Sequence, residues 1–208
     1  MEEKKSSISQ AVELAKASDL VIVVICLSKE WESEGYDRQA MELPGKQDEL
    51  VSSLLDSVEL RQRFIVVNQS GSLVHMPWQD QASTILQAWY GGQEASSALA
   101  NVLLGDTSPN GRIPMTWPRS YSDLPFAKDS TSWPGVNDIV KYKEGVKVGY
   151  TWFLDAEIEA QWCGMVETIG LLLHSEIELV RTQNKSSLLS NLASYLGCSL
   201  RSWVHLDS

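Results

Sequence analysis

Positive charge, histidine and cysteine are all scarce in this chain. Seventeen Lys and Arg stand against 27 Asp and Glu, for a formal net charge of −10 over 208 residues. Nothing concentrates positive charge enough to displace counterions from a phosphate backbone, so no nucleic-acid partner is expected. The three histidines (His75, His174, His205) and three cysteines (Cys26, Cys163, Cys198) are scattered, with no CxxC and no metal-ligand spacing. No metal site is therefore expected. Cys26 lies inside an apolar run and is expected to be a buried free thiol. Long hydrophobic runs are lacking too: none approaches the roughly 18 apolar residues of a membrane span, so no membrane partner is expected. The N-terminus "MEEKKSSISQ" has no apolar core of the kind a signal peptide carries, and localisation stays open.

What remains has the composition of a globular protein, 43% hydrophobic and 21% charged. The length suits one domain with a substantial core, or one domain plus an appendage. "ISQAVELAKA" (8–17) spaces Ile8, Ala11, Val12 and Ala15 as one face of a helix. "DLVIVVICL" (19–27) is short, continuous and β-branched, as a parallel strand covered on both faces would be. "KQDELVSSLLDSV" (46–58) predicts a helix, "RFIVVNQSGS" (63–72) a second buried strand running into a turn, and "STILQAWY" (83–90) a third strand. "QEASSALANVLLG" (93–105) predicts a helix stopped by Gly105. "SPNGRIPMTWP" (108–118) predicts a turn and a short extended piece. Helices alternating with strands in this order give an α/β fold, a parallel-rich sheet sandwiched by helices. After about residue 160 the chain becomes Ser- and Leu-rich with patchy periodicity.

Loops at the carboxyl ends of parallel strands are the usual ligand-binding positions. The loop after the first strand reads "WESEGYDR" (31–38) and places Glu32, Glu34, Gly35, Asp37 and Arg38 together, close to Glu30. Carboxylates crowded this closely raise one another's pKa, and glycosidic-bond hydrolysis needs a carboxyl group that can hold a proton near neutral pH. Gly35 lets the backbone turn sharply. Arg38 works in the opposite direction, with Asp37 as its natural partner. On composition alone a solvated acidic loop with an ordinary Asp–Arg ion pair is the simpler reading, since perturbed carboxylates are a minority. The other candidates are weaker. Ser70 in "NQSGS" lacks the flanking pattern of a nucleophile elbow, and "YGGQEA" has neither the lysine of a P-loop nor GxGxxG order. Trp31, Trp78, Trp89 and Trp117 could stack on sugar rings, but packing is the default for most of them.

Taken in order over about residues 11–153, further segments join these: "AVELAKASDLVIVV", "MELPGKQDELV", "IVVNQSGS", "MPWQDQASTILQAWYGGQEA", "ALANVLLGDTSPNGRIPMTWP" and "YKEGVKVGYTWF". With "WESEGYDR" they resemble the C-terminal α/β sandwich domain of glycoside hydrolase family 3, most closely fungal β-glucosidases. The resemblance implies a retaining β-glucosidase acting on terminal non-reducing β-D-glucosyl residues, as in cellobiose, with its active site shared between two domains. A (β/α)8-type barrel, absent here, would supply the aspartate nucleophile and most glucose contacts, and the sandwich an acid/base glutamate. The glutamate preceding Gly-Tyr-Asp-Arg is Glu34, with Glu32 its close rival, and Asp37 and Arg38 would hold the loop. The implied chemistry calls for no metal or cofactor, and the isolated chain is expected to be inactive. A β-xylosidase-type relative, or a non-catalytic α/β module that binds carbohydrate or protein, are the alternatives.

Departures accompany the match. Cys26 stands where the family usually has glycine, adding a side chain at the strand end beside the loop. Ser96 and Ser97, directly after "GQEA", replace small residues common in the family segment GQEAGNALA. Near Trp162 the sequence turns to "WCGMVETIGLLL" in place of a segment leading to a fibronectin-like domain, as a frameshift, retained intron or gene-model error would produce. Residues 1–155 are thus expected to form the sandwich domain of a fragment, and 156–208 a divergent tail that is not a native domain.

Overall fold

The structure is a computed structural model that describes residues 7–35, 37–109 and 111–160. The sequence beyond residue 160, with Cys163, Cys198, His174 and His205, lies outside the described residues. The chain runs from helix α1 (Ser7–Lys16) into strand β1 (Val21–Cys26), then through helices α2 (Gln47–Leu55) and α3 (Val58–Arg61) to strand β2 (Phe64–Gln69). Strand β3 (Thr84–Gln87), helix α4 (Ala95–Leu103) and, after a long irregular stretch, helix α5 (Tyr150–Asp155) complete it.

The three strands form one parallel sheet in the order β1-β2-β3. The central strand reads FIVVNQ and is buried along its whole length. Its alternating side chains divide the core in two. Phe64 and Val66 pack with Ala15 of α1 and Val51, Leu54 and Leu55 of α2, while Ile65 and Val67 pack with Leu99, Ala100 and Leu103 of α4. Each large apolar side chain buried in this way contributes about 1.5–3 kcal/mol relative to exposure. A central parallel strand covered on both faces needs an unbroken apolar run, and this one has it up to Val67. The expected α/β sandwich is therefore the observed fold.

Tertiary contacts trim the elements at their ends. The expected helix over 46–58 stops at Leu55, and a separate turn, α3, follows. Arg61 returns its guanidinium to the Leu55 carbonyl, with Nε donating over 2.6 Å, and so satisfies an acceptor that the helix end leaves open. Leu60, next to Arg61, is completely buried in the core. The third strand ends at Gln87 rather than at 90, because Trp89 adopts φ +52°, a left-handed conformation that no strand accommodates. The helix expected over 93–105 opens with a 3₁₀ turn at Gly92–Glu94, and Gly105 terminates it at φ +73°. Trp78 and Trp117 are completely enclosed. Trp78 Nε1 donates to Asp48 on α2 over 2.8 Å, and Trp117 Nε1 donates to the Val74 carbonyl over 2.7 Å. Both are packing residues.

Candidate active site

The strands are in level register at their carboxyl ends, with Cys26 beside Gln69 and Asn68 beside Gln87. The loops that leave them consequently converge. In the first loop the Ser28 carbonyl accepts from the backbone N–H groups of Trp31 (2.8 Å) and Glu32 (3.0 Å), a tight turn that directs Glu32 back over the sheet. Gly35 follows Glu34 at φ +77°, as the sharp bend there requires.

Glu32, on the first loop, is held by the other two. Its Oε2 accepts from the Gly71 backbone N–H over 3.1 Å and from the Tyr90 hydroxyl. Its Oε1 accepts from the Ser72 hydroxyl. Burial works to raise the pKa of this carboxyl, but the donors on Ser72, Tyr90 and Gly71, with the charge of Arg38, outweigh it and hold the pKa below the ordinary value. The partner responds in the opposite sense: burial first, then the carboxylate it donates to, push the Tyr90 phenol well above its ordinary range. A folded-state pKa lowered in this way adds stability that is present above the unfolded-state value of about 4.3 and is lost as pH falls through the folded value. Glu32→Gln is therefore expected to lower stability at pH 7 and to flatten the acid limb of the stability profile. Urea unfolding at pH 7 and pH 3 would check this, and an equal loss at both pH values would contradict it.

An open cavity of about 460 Å³ lies beside this clasp, lined by Trp31, Glu32, Ser33, Glu34, Asp37, Arg38 and Ser72. The residues singled out in "WESEGYDR" are thus brought together at one surface. Glu34 is exposed on it, and no side chain among the described residues donates a hydrogen bond to its carboxylate. The expected Asp37–Arg38 ion pair is replaced by a different arrangement. Arg38 turns inward and Nη2 donates to the Leu73 carbonyl over 2.5 Å, while Asp37 stays exposed. Of the carboxylates acting on Arg38, Glu32 has the larger effect, ahead of Glu42. The bond to Leu73 and the charge of Glu32 offset part of the cost of burying the guanidinium, whose Nη1 is buried without a hydrogen-bond partner among the described residues. Trp31 is 37% exposed and borders the cavity, so of the tryptophans considered it is the one placed to meet a ligand.

The remaining candidates are structural. Ser70 is fully buried, accepts from Asn68 Nδ2 (3.1 Å) and donates to the Ser72 carbonyl (2.9 Å), while Gln87 Nε2 donates to the Ser70 carbonyl (2.9 Å). This polar knot fixes the second loop. Cys26 is a free thiol, half-buried rather than buried, and burial pushes its pKa up. Its backbone N–H and carbonyl are both held by the Gln47 side-chain amide, at 2.8 and 3.0 Å. His75 lies 3.9 Å from Glu42, and among the described residues no cluster of His, Cys, Asp and Glu could hold a metal. Tyr90, Gly71 and Ser72 were not foreseen as site residues. They lie 39 to 58 positions from Glu32 in sequence. Asking where the loops after all three parallel strands meet, rather than examining the first loop alone, would have found them.

A parallel α/β layer with an acid-lined cavity at the carboxyl ends of its strands has the arrangement in which α/β domains commonly bind ligands. The chain belongs to glycosyl hydrolase family 3: residues 2–150 match the family's C-terminal domain. It is 43% identical over 148 residues to a protein of Neosartorya fischeri named probable beta-glucosidase J, covering 71% of this chain and 16% of that one. It is 41% identical over 155 residues to a beta-glucosidase of Rhizobium radiobacter, covering 74% and 19%. The fold is similar to the crystal structure of the Kluyveromyces marxianus beta-glucosidase in complex with glucose, with a TM-score of 0.70 and 37% identity over 76% of this chain and 18% of that one. The chain thus spans less than a fifth of the length of these relatives.

Proposed function

We propose that this chain is the part of a retaining β-glucosidase that brings the acid/base carboxylate, and that Glu34 is that carboxylate. The observation that carries the choice is the contrast between two glutamates two positions apart. Glu32 has both oxygens committed to donors from Gly71, Ser72 and Tyr90, and its pKa is lowered, so at neutral pH it is ionised and has no proton to give. Glu34 stands exposed on the cavity. An acid/base group must give up a proton and recover it within each cycle, so it needs access to substrate and water. Glu34 has that access.

In the proposed reaction Glu34 protonates the departing glycosidic oxygen and later takes a proton from the water that attacks the glycosyl-enzyme. The nucleophilic carboxylate, about 5–5.5 Å from the acid in a retaining site, comes from a (β/α)8-type barrel domain. Arg38 supports the loop through its bond to Leu73. The substrates are terminal β-D-glucosides such as cellobiose, with the choice of sugar resting mainly on the barrel. The names of the relatives and the glucose-bound K. marxianus structure support this reading.

A chimera tests it. Residues 7–160 placed in the K. marxianus enzyme, in exchange for the segment they resemble, are expected to support hydrolysis of an aryl β-glucoside. The 208-residue chain alone is expected to give none. A folded, glucose-binding chimera without turnover would count against the proposal, as would robust turnover by the isolated chain. A chimera that prefers an aryl β-xyloside would favour the xylosidase reading.

A further inference from the structure

We infer that Tyr90 is a positioning residue for the acid/base loop, acting through Glu32 from the end of a different strand. The inference rests on the reading of Glu34 above and extends it to residues outside "WESEGYDR". The Tyr90 hydroxyl has one proton, and two acceptors lie within reach, Glu32 Oε2 and the Leu27 carbonyl at 3.3 Å. The ionised carboxylate is the stronger acceptor, so the proton belongs to the bond with Glu32. That bond joins the loop after β3 to the loop after β1, at a point two residues before Glu34.

Two further observations point the same way. Trp89, immediately before Tyr90, is held at φ +52°, a sparsely populated conformation that persists only where the surroundings fix it. It swings the chain off the sheet at the position that delivers the phenol to Glu32. Gly71 lies under the Tyr90 ring: a Cβ there would sit 2.9 Å from Tyr90 Cε2 and 3.4 Å from Glu32 Oε2. The second loop can thus offer its N–H to Glu32 and pass beneath the tyrosine only because residue 71 has no side chain. Tyr90, Gly71 and Glu32 form one latch that closes the three loops upon each other. Glu34, exposed on the far side of the same turn, takes its position from that latch.

Tyr90→Phe removes the hydroxyl and keeps the ring. In the 208-residue chain the variant is expected to speed amide hydrogen exchange over residues 31–38 while leaving the buried amides of β2 unchanged. In the barrel-containing chimera it is expected to lower kcat for cellobiose by up to about 10²-fold, the loss that follows from misplacing a catalytic group by about 1 Å. KM should stay near its original value, and the loss should shrink for an aryl glucoside whose leaving group needs no proton. Gly71→Ala keeps the hydroxyl but displaces the ring, and should reproduce both effects. Unchanged exchange in the loop, or a kcat loss equal for both leaving groups, would overturn the inference. So would a rise in KM at constant kcat, which would make Tyr90 a substrate contact. The exchange arm is indifferent to which glutamate is the acid, so the latch and the Glu34 assignment fail separately.

Discussion

Glu34→Ala, in a chimera that supplies the barrel, is expected to reduce cellobiose turnover by about 10²–10⁴-fold, the usual worth of general acid–base help. Two steps lose their catalyst at once. The sugar leaving from cellobiose is a poor alkoxide and needs a proton to depart, so formation of the glycosyl-enzyme slows. The water that resolves the intermediate then lacks its base. An aryl glucoside with an acidic phenol departs unaided, so its first step should be nearly spared and the intermediate should accumulate. Added azide should restore turnover, because a small anion needs no general base and can enter the space that the carboxylate has vacated. Glu32→Ala should behave differently. It leaves the Glu34 carboxylate in place to serve the water as base, so no rescue is expected however much the loop is disturbed. Azide rescue in Glu32→Ala and not in Glu34→Ala would move the assignment by two residues. Rescue in neither would make the acids of this loop structural.

The contrast between these two glutamates also marks how far the sequence could be read. The strands were legible because their runs are unambiguous: β2 is apolar through Val67 and entirely buried, as a central parallel strand must be. The ends of the elements were not, since they are set by contacts between residues far apart. Arg61 capping Leu55 stops α2, and the left-handed Trp89 stops β3. The acidic loop was legible as a candidate site because it combines Glu-Gly-Tyr-Asp-Arg with a position after a strand. The roles within it were less so. Local proximity suggested Asp37 as the partner of Arg38, yet Arg38 turns to the Leu73 carbonyl, 35 positions away, and feels the charge of Glu32. The clasp on Glu32 comes from the loops after β2 and β3. Its donors are a backbone N–H, a serine and a tyrosine, none of which announces itself in a sequence.

The second large effect expected is on stability, at Trp117. This residue is completely buried within the irregular stretch between α4 and α5, and its indole N–H donates to the Val74 carbonyl over 2.7 Å. Trp117→Ala removes a large side chain from a closed core, which costs about 3–5 kcal/mol, and strands a buried carbonyl besides. Against a total stability on the order of 5–15 kcal/mol, that is enough to leave much of the population unfolded in mild urea. The damage should reach the site, because Val74 follows Leu73, which receives Arg38, and Ser72, which donates to Glu32. Trp117→Phe keeps most of the packing and should lose only part of this. Trp31→Ala provides the opposite case: 37% exposed on the rim of the cavity, it should change stability by no more than about 0.5 kcal/mol while weakening any sugar that stacks there. Urea unfolding followed by circular dichroism would check all three variants. A Trp117→Ala loss under about 1 kcal/mol would mean that the stretch around it is not packed into the core and that the loop after β2 is held by other means.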